Sequence, residues 1–373
     1  MTAARVAYVV AATAGGTGRH VAMLAGGCAA RGLAVSVFGP EATRSLFPSV
    51  AFTPADTAGQ PRPARDAATV LRLRRLLARH APDVVHAHGL RAGAAAALAL
   101  AGLPGRRPGP ALLVTVHNSA PDGALPGAAY RALERLTARR ADAVLCVSAD
   151  LAERMRRAGA RDVALAVVPA PAAAAPSAEE VAKARSDTGA CGRPVVLAVG
   201  RCARQKGFDI LLDAAVILQH RDPAPLPVIA GDGPLAGPLA KQARAAGTEV
   251  RFLGPRADVP ALLAVADVVV VPSRWEGQPL IVQEALRAGR PLVASRAGGI
   301  PALTGEAGAL LVPPGDPARL AAAVASVLDD PVLSGHLASA AAGRAAMLPT
   351  PSDAVDAAAA AYARLARHDP APA

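Results

Sequence analysis

The chain has 373 residues, which predicts two domains because single hydrophobic cores stop growing beyond about 250–300 residues. Apolar residues make up 52% of the sequence but aromatic residues only 2%, so aliphatic side chains must fill both cores. The formal net charge of +11 suits phosphate-bearing ligands or an anionic membrane surface. We expect no nucleic-acid partner, because the sequence contains neither aromatic stacking platforms nor a recognisable binding module.

The cysteines and the apolar runs bear on localisation. Four cysteines occur without the C-x-x-C spacing of metal and redox sites, which predicts reduced thiols in a cytoplasmic protein. The longest apolar run, residues 92–103, is too short to span a bilayer. Residues 1–12 lack a cleavage pattern and are predicted to form a strand, not a signal peptide. Peripheral association with the inner face of the membrane is a further hypothesis.

Strands and helices alternate along the first half of the chain. Strands are predicted over residues 6–12, 34–38, 83–88, 112–117, 143–147 and 163–169. Helices are predicted over 19–31, 66–80, 126–140 and up to 157, with an alanine-rich helix after residue 88. Residues 40–65, rich in Pro and small polar side chains, are predicted to be a surface loop. The alternation predicts an α/β domain, a doubly wound parallel sheet with helices on both faces.

A proline-rich segment, residues 169–177, is predicted to be an interdomain linker, after which the alternation restarts. Strands are predicted over 195–199, 228–230, 250–253, 268–271, 292–295 and 309–312, and helices over 208–219, over 259–265 and from Pro279. A final helix over 353–366 is predicted to pack back on the first half. The predicted division is therefore 1–170, 171–348 and a returning helix and tail at 349–373, with the two domains facing each other across a cleft.

A strand, a polar loop and a helix follow one another between residues 268 and 285. The loop carries Glu276, and Pro279 is predicted to occupy the first helical turn, which tolerates proline. Glu284 falls in the second turn of that helix. A helix N-terminus at the carboxyl end of a parallel strand suits an anion such as a diphosphate. The alternative is that Glu276 caps the helix and Glu284 is an ordinary solvated residue.

A second loop supplies cations. Arg201 and Lys206 lie five residues apart after the strand over 195–199. A departing diphosphate needs a metal ion or fixed positive charge, and the chain contains no Asp-x-Asp sequence. We therefore expect the two cations to replace a metal, with solvated loop cations as the alternative.

Three histidines occur at predicted strand ends. His86 and His88 are two residues apart and share one face of their strand, and with His117 they make a possible metal set. No fourth ligand is evident, so we favour a buried, hydrogen-bonded His86, with His88 and His117 lining the cleft.

Short motifs follow the strand ends in a fixed order. The second half has Gly200-Arg201, Gln205-Lys206-Gly207, Ala230-Gly231-Asp232-Gly233-Pro234-Leu235 and a Glu-Gly-x-Pro-Leu loop between the two glutamates. The first half has Gly15-Gly16-x-Gly-Arg19-His20, Asp83-Val-Val-His-Ala-His88 and Thr115-Val-His117-Asn118. Together they resemble the retaining glycosyltransferases of family GT4, whose fold is GT-B and whose E-x7-E motif is similar to the glutamate pair. The resemblance covers almost the whole chain.

The resemblance implies transfer of a hexosyl group from a nucleotide sugar, with UDP favoured over GDP, to a hydroxyl acceptor that is lipid-linked in several relatives. It implies front-face attack, no metal and no cofactor, with the acceptor on domain 1–170 and the donor on domain 171–348. Catalytic roles fall to Glu276, Arg201, Lys206 and His117. Donor contacts fall to Gly15, Gly16, Gly231, Gly233, Gly277, Gln278, Pro279, Leu280 and Glu284. The acceptor side comprises Arg19, His20, His88 and Asn118.

Two alternatives stay open from the sequence, an epimerase of the same fold and a donor-binding relative that no longer transfers. The chain also departs from the family pattern at two places. Residues 169–172 read Pro-Ala-Pro-Ala where many relatives have Asn-Gly-Val-Asp, and Ala302 stands where a glutamate is usual. Neither departure removes a residue to which we assign a catalytic role.

The predicted helix over 66–80 is rich in arginine. Arg72, Arg75 and Arg79 share one of its faces, and the leucines at 71, 73, 76 and 77 are predicted to pack inward. Further arginines occur nearby and on a later helix, at Arg62, Arg65, Arg74, Arg131, Arg135, Arg139 and Arg140. This pattern indicates either a solvated basic face or a contact with an anionic membrane.

Overall fold

A computed structural model describes the protein over residues 4–11, 16–55, 63–101, 103, 109–117, 124–171 and 174–367. The chain forms two compact units. Unit 1 comprises Met1–Pro169 together with Pro349–Ala373, and unit 2 comprises Ala170–Leu348. The first boundary between the units, after residue 169, falls one residue before the predicted position. The second boundary, after residue 348, lies at the predicted position.

Unit 1 contains a seven-stranded parallel sheet. Its strands are β1 (Arg5–Val10), β2 (Ala34–Gly39), β3 (Ala51–Pro54), β4 (Val84–His88), β5 (Ala111–Val116), β6 (Ala143–Cys146) and β7 (Val163–Leu165). The helices of this half are α1 (Gly16–Ala30), α2 (Pro63–His80), α3 (Leu90–Leu100), α4 (Ala124–Arg140) and α5 (Ala149–Arg157). The strand order is β3-β2-β1-β4-β5-β6-β7, and every pair is parallel, as predicted.

One prediction for unit 1 is wrong. Residues 40–65 are not simply a loop, because they contain a 3₁₀ helix over Glu41–Leu46, the strand β3 and the start of α2. The rings of Phe47 and Phe52 stack 5.9 Å apart and fix this segment against the unit 1 core. Pro54 ends β3 at the edge of the sheet, where a strand tolerates proline because one side of its backbone needs no ladder bonds.

Unit 2 contains a six-stranded parallel sheet. Its strands are β8 (Val195–Val199), β9 (Leu226–Ala230), β10 (Arg251–Gly254), β11 (Val268–Val271), β12 (Leu292–Ser295) and β13 (Leu310–Val312). Its helices are α6 (Ala178–Thr188), α7 (Phe208–Leu218), α8 (Ala236–Ala245), α9 (Val259–Val265), α10 (Leu280–Arg287), α11 (Ile300–Thr304), α12 (Pro317–Asp329) and α13 (Pro331–Ala345). The strand order is β10-β9-β8-β11-β12-β13.

The four valines of β11 explain why this strand is an unbroken apolar run. Val269 and Val271 belong to one hydrophobic cluster, whereas Val268 and Val270 belong to the other. Successive side chains of a strand point to opposite faces, so both faces of the sheet are covered in unit 2. A strand buried on both faces has no position for a polar side chain, and polarity returns only at Ser273, after the strand ends.

Five helices of unit 2 were not predicted, namely α6, α8, α11, α12 and α13. Three of them carry start signals. Ser177 and Glu180 form a capping box at α6, and Asp316 caps α12. The carboxylate of Asp330 accepts from the N–H groups of Val332 and Leu333 at the start of α13. Because α6 begins at residue 178, regular structure resumes directly after the predicted linker.

The last helix, α14 (Pro351–Ala366), belongs to unit 1 and confirms the predicted return of the chain. It packs on α1 through residues of the unit 1 core that include Val355 and Leu365. Its Tyr362 is fully buried, and the hydroxyl lies 2.7 Å from that of Tyr8 on β1. None of the helices within the described ranges is both long and apolar enough to cross a membrane.

Candidate active site

Two loops of unit 2 lie at one edge of its sheet. The β8 loop, residues 200–207, follows β8, and the β11 loop, residues 272–279, follows β11. Because β8 and β11 are parallel neighbours, their carboxyl ends share one edge. Arg201 and Lys206 therefore lie on a loop adjacent to the loop that carries Glu276.

Lys206 and Glu276 form an ion pair that the sequence did not predict. The Nζ atom of Lys206 lies 2.5 Å from Oε1 of Glu276, and Ser273 Oγ donates to the same oxygen at 2.7 Å. Gln205 Nε2 lies 3.5 Å from the other carboxylate oxygen. Glu276 is only 4% exposed, and a buried carboxylate is costly unless it is paired. Lys206 supplies the pairing charge, and Ser273, three residues before Glu276, is a site residue that sequence reasoning missed.

Two glycines set the backbone geometry of the site. Gly207 has a φ of +64°, and a Cβ there would lie 2.0 Å from the carbonyl oxygen of Pro272. Gly298 has a φ of +52°, and a Cβ there would lie 1.7 Å from the carbonyl oxygen of Glu276. The same carbonyl accepts from Gly299 N–H at 3.0 Å. Only glycine fits at 207 and 298, so both turns are built for close backbone approach.

The other predicted donor residues lie around these loops. Gly231 and Gly233 form the turn after β9, where Cys202 N–H donates to the carbonyl of Asp232 at 2.9 Å. Gly277 is buried, and Glu284 is half-buried in the second turn of α10. Gln278, Pro279 and Leu280 lead into that helix. The placement of Pro279 was wrong by one residue, because it is the N-cap and Leu280 opens the helix.

Arg201 differs from Lys206 in its surroundings. Its side chain is exposed, and no carboxylate of the described chain forms an ion pair with it. A Cβ on Gly233 would lie 3.1 Å from Cγ of Arg201, so the arginine stem runs along the turn after β9. The site thus holds one cation already paired and one available to a ligand.

In unit 1 the structure brings together His20, His88 and His117. His88 ends β4, His117 directly follows β5, and Nδ1 of His88 lies 3.1 Å from Nε2 of His117. The ring of His20, on α1, lies 5.9 Å from that of His117 and 6.5 Å from that of His88. Gly16 opens α1 and Arg19 is exposed, whereas Gly15 and Asn118 lie outside the described residues.

These histidines are uncharged at neutral pH. Burial lowers the pKa of His20 to about 4 and that of His117 to about 3. Burial and the neighbouring histidines hold the pKa of His88 well below its ordinary value. Within the part of the chain that the structure describes, Nδ1 of His20 and Nε2 of His88 are buried without a hydrogen-bond partner. The group therefore offers unused hydrogen-bonding capacity without charge.

His86 is buried and hydrogen-bonded, as predicted. One ring nitrogen lies 2.6 Å from the hydroxyl of Tyr362 and the other 2.7 Å from that of Thr115. Both nitrogens are used, so this side chain supports the fold between β4, β5 and α14. Across the described ranges no three His, Cys, Asp or Glu side chains are grouped as a metal site.

Comparisons with known proteins identify the family of the chain. Residues 193–330 match the family of group 1 glycosyl transferases, and residues 14–172 match Glycosyltransferase Family 4. The chain is 33% identical over 293 residues to alpha-D-kanosaminyltransferase of Streptomyces kanamyceticus. The aligned region covers 73% of this chain and 75% of that protein. The chain is 32% identical over 277 residues to the GDP-mannose-dependent alpha-(1-6)-phosphatidylinositol monomannoside mannosyltransferase of Mycolicibacterium smegmatis, covering 70% and 71% respectively.

Solved structures share the fold. HepE of Anabaena in complex with UDP-glucose has a TM-score of 0.79 at 22% identity, covering 96% of this chain and 99% of that one. Sucrose-phosphate synthase of Thermosynechococcus elongatus also has a TM-score of 0.79, at 21% identity and with 98% and 100% coverage. Two parallel-sheet units with these likenesses define the GT-B fold. The sequence matches then place the chain in glycosyltransferase family 4.

Proposed function

We propose that the chain is a retaining, metal-independent glycosyltransferase that moves a hexosyl group from a nucleotide sugar to a hydroxyl acceptor. The observation that carries this proposal is the meeting of Arg201, Lys206 and Glu276 on adjacent loops beside the N-terminus of α10. Among the relatives, HepE binds UDP-glucose and the mannosyltransferase depends on GDP-mannose, and we favour UDP for this chain.

The two cations are proposed to stabilise the leaving diphosphate. Negative charge grows on the phosphate as the glycosidic bond breaks, and fixed positive charge at that place lowers the barrier. Arg201 has a fork of donors for phosphate oxygens, and Lys206 provides a compact charge. We propose that the diphosphate competes with Glu276 for Lys206, since both are anions within reach of one ammonium group.

The two glutamates are proposed to hold different parts of the donor. Glu284 would accept from the ribose hydroxyls, and Glu276 from hydroxyls of the transferred sugar. The backbone N–H groups between Gly277 and Leu280 would face the donor at the helix N-terminus. By the family resemblance, His117 is proposed to have a catalytic role, and His20, His88 and Arg19 are proposed to bind the acceptor.

Retention is proposed to follow front-face attack. The bond from the anomeric carbon to the phosphate oxygen breaks, and the acceptor oxygen bonds to that carbon on the same face. The acceptor proton passes to the departing phosphate oxygen. This route needs no carboxylate beneath the sugar, which a double displacement would require.

The test is incubation with a panel of UDP- and GDP-sugars and simple polyol acceptors, followed by NMR. Free nucleotide with an unchanged anomeric configuration in the product supports the proposal. An inverted product contradicts retention, and an epimerised donor without free nucleotide indicates the epimerase alternative. Bound but unchanged donor indicates a relative that no longer transfers. Repeating the assay in EDTA tests the metal-free mechanism.

A peripheral membrane contact is proposed for α2, which would bring the enzyme to a lipid-linked acceptor. Arg72, Arg75 and Arg79 are exposed, as are Arg65 and the arginines of α4 at 131, 135, 139 and 140. Leu71 was predicted to pack inward but is 49% exposed beside these cations, whereas Leu73 and Leu77 are buried. Arg74 is not part of this face, because its guanidinium donates to the carbonyls of residues 98 and 99. Arg62 lies outside the described residues.

Flotation with liposomes tests this contact. Each basic residue near an anionic surface is worth about 1 kcal/mol, so phosphatidylserine vesicles should carry the protein at low salt and release it at high salt. Reversal of Arg72, Arg75 and Arg79 to Glu should abolish co-flotation, whereas the exposed Lys241 of unit 2 should tolerate the same reversal. Absence of co-flotation at low salt would contradict the membrane contact while leaving the transferase proposal intact.

A further inference from the structure

One side chain, Arg274, joins the β11 loop to the β8 side of the site. Its ion pair is separate from that of Lys206 and Glu276. Arg274 donates from Nη1 and Nη2 to the two oxygens of Asp209, at 2.7 and 2.6 Å. Asp209 is the second residue of α7, directly after the β8 loop. The ion pair therefore connects the β11 loop to the helix that anchors the β8 loop.

The same arginine also binds the β8 loop through backbone groups. Its N–H donates to the carbonyl of Gln205 at 2.8 Å, and Nη1 donates to the carbonyl of Arg204 at 3.0 Å. Gln205 returns a bond, because its side-chain amide donates to the carbonyl of Trp275 at 3.0 Å. These contacts lie directly before Lys206 in one loop and directly before Glu276 in the other.

Geometry and charge both favour a guanidinium at this position. A planar fork matches a carboxylate with two parallel bonds, which a lysine cannot form. Asp209 lies in the first turn of α7, where a carboxylate is stabilised by the helix dipole. The hydrogen bonds from Arg274 hold the pKa of the Asp209 carboxyl below its ordinary value, so the pair stays charged over the neutral range.

We infer that Arg274 and Asp209 are positioning residues that hold Lys206 and Glu276 at their working separation. The Lys206–Glu276 pair also connects the two loops, and a diphosphate that takes Lys206 would remove that connection. The Arg274–Asp209 clamp keeps the β11 loop in place when Lys206 changes partners. This inference rests on the proposed function of the two loops.

The experiment compares Arg274→Lys, Asp209→Asn and the double variant with a control pair. Arg221 and Asp329 form an ion pair of unit 2 away from both loops, so Arg221→Lys and Asp329→Asn are the matched controls. The wild-type donor is first identified from the nucleotide-sugar panel. Each single clamp variant should lower kcat by about tenfold or more, as small misplacements of catalytic groups do, while donor KM changes by less than about threefold. The double variant should be no slower than the slower single variant, because both remove one interaction.

A second measurement needs no turnover. Trp275 is the single tryptophan of the chain and lies between Arg274 and Glu276, so acrylamide quenching of its fluorescence reports the mobility of the β11 loop. Quenching should increase in both clamp variants and stay unchanged in both controls. If the wild type turns over no nucleotide sugar, the proposed function fails, and the quenching result still decides whether the clamp orders the loop. Unchanged kcat and quenching, or losses equal to those of the controls, would overturn the inference.

Discussion

The site residues that follow the carboxyl ends of the strands are charged in unit 2 and uncharged in unit 1. In unit 2 the loops after β8 and β11 and the start of α7 hold charged groups in fixed contacts. These are the Lys206–Glu276 pair, whose glutamate is buried, and the Arg274–Asp209 pair. In unit 1 the ends of β4 and β5 and the start of α1 hold three buried histidines, all with lowered pKa values. The first arrangement suits a charged leaving group, and the second suits uncharged hydroxyls. The residues placed after the strands thus give two sheets of the same architecture different chemistry.

Removing a cation from unit 2 should have the largest effect. Arg201→Ala and Lys206→Ala should each lower turnover by roughly a hundredfold or more, the scale of one transition-state charge contact. Arg201→Ala should leave the melting temperature unchanged because its side chain is exposed, whereas Lys206→Ala should lower it by leaving Glu276 buried and unpaired. Initial rates and thermal melts measure both quantities, with Lys241→Ala as the control. Activity that disappears in EDTA and returns with magnesium would contradict the metal-free assignment.

The backbone of the charged site should be equally intolerant of change. Gly298→Ala adds a Cβ against the carbonyl of Glu276, whereas Gly247→Ala, at a similar positive φ, meets nothing within 4 Å. Both variants incur the left-handed strain, so their difference isolates the steric contact. Urea denaturation should show a free energy of unfolding about 1–3 kcal/mol lower for Gly298→Ala than for Gly247→Ala. Equal losses would mean that the turn at Gly298 relaxes away from Glu276.

The two glutamates of unit 2 should separate in a binding experiment. Glu284→Gln should weaken binding of free UDP about tenfold, because its proposed partner is the ribose. Glu276→Gln should leave UDP affinity nearly intact while lowering transfer, since its proposed partner is the sugar. Isothermal titration with UDP measures both, with the exposed Glu306→Gln as the control. Equal weakening in the first two variants would reverse the assignment of roles.

The neutral histidines of unit 1 should make the stability of the protein depend on pH. Folding lowers the pKa of His20 to about 4 and of His117 to about 3, from an ordinary value of 6.5. Between the folded pKa of each histidine and pH 6.5, the unfolded chain therefore binds more protons than the folded chain. The free energy of unfolding is thus highest above pH 6.5 and declines as the pH falls towards 4. The loss from pH 7.5 to pH 5 should be about 1–2 kcal/mol per histidine.

Two probes can assign that loss to unit 1. Urea unfolding followed by circular dichroism reports both units, whereas Trp275 fluorescence reports unit 2. Acid should shift the circular dichroism transition more than the fluorescence transition. His20→Gln should reduce the pH dependence, and the exposed His336→Gln should not. Parallel shifts of both probes would contradict the assignment.

The predictable parts of the fold were those set by local pattern. The valine run of β11 could be read from the sequence because a strand buried on both faces has a distinctive composition. The short edge strand β3 could not, because four residues ending in proline resemble a loop. The helices α6, α12 and α13 carried capping signals that could have been used, whereas α8 has no side-chain cap.

The sequence predicted which residues belong to the site, but it did not predict which of their side chains are in contact. Strand ends identified the loops of Arg201, Lys206 and Glu276, because parallel strands place their carboxyl ends at one edge. The ion pair between Lys206 and Glu276 depends on the conformations of two loops, which no spacing rule fixes. The role of Arg274 was invisible for the same reason, since its partner Asp209 is 65 residues away in sequence.

The return of α14 to unit 1 has a consequence for synthesis on the ribosome. Every strand of unit 1 emerges early, but the helix that buries Tyr8 and packs on α1 is made only after the whole of unit 2. Until then, the unit 1 core lacks the buried residues that α14 contributes, such as Val355 and Leu365. A nascent or prematurely terminated chain therefore exposes apolar surface of the kind that chaperones and proteases recognise. The stability of unit 1 therefore depends on a helix that is synthesised after unit 2.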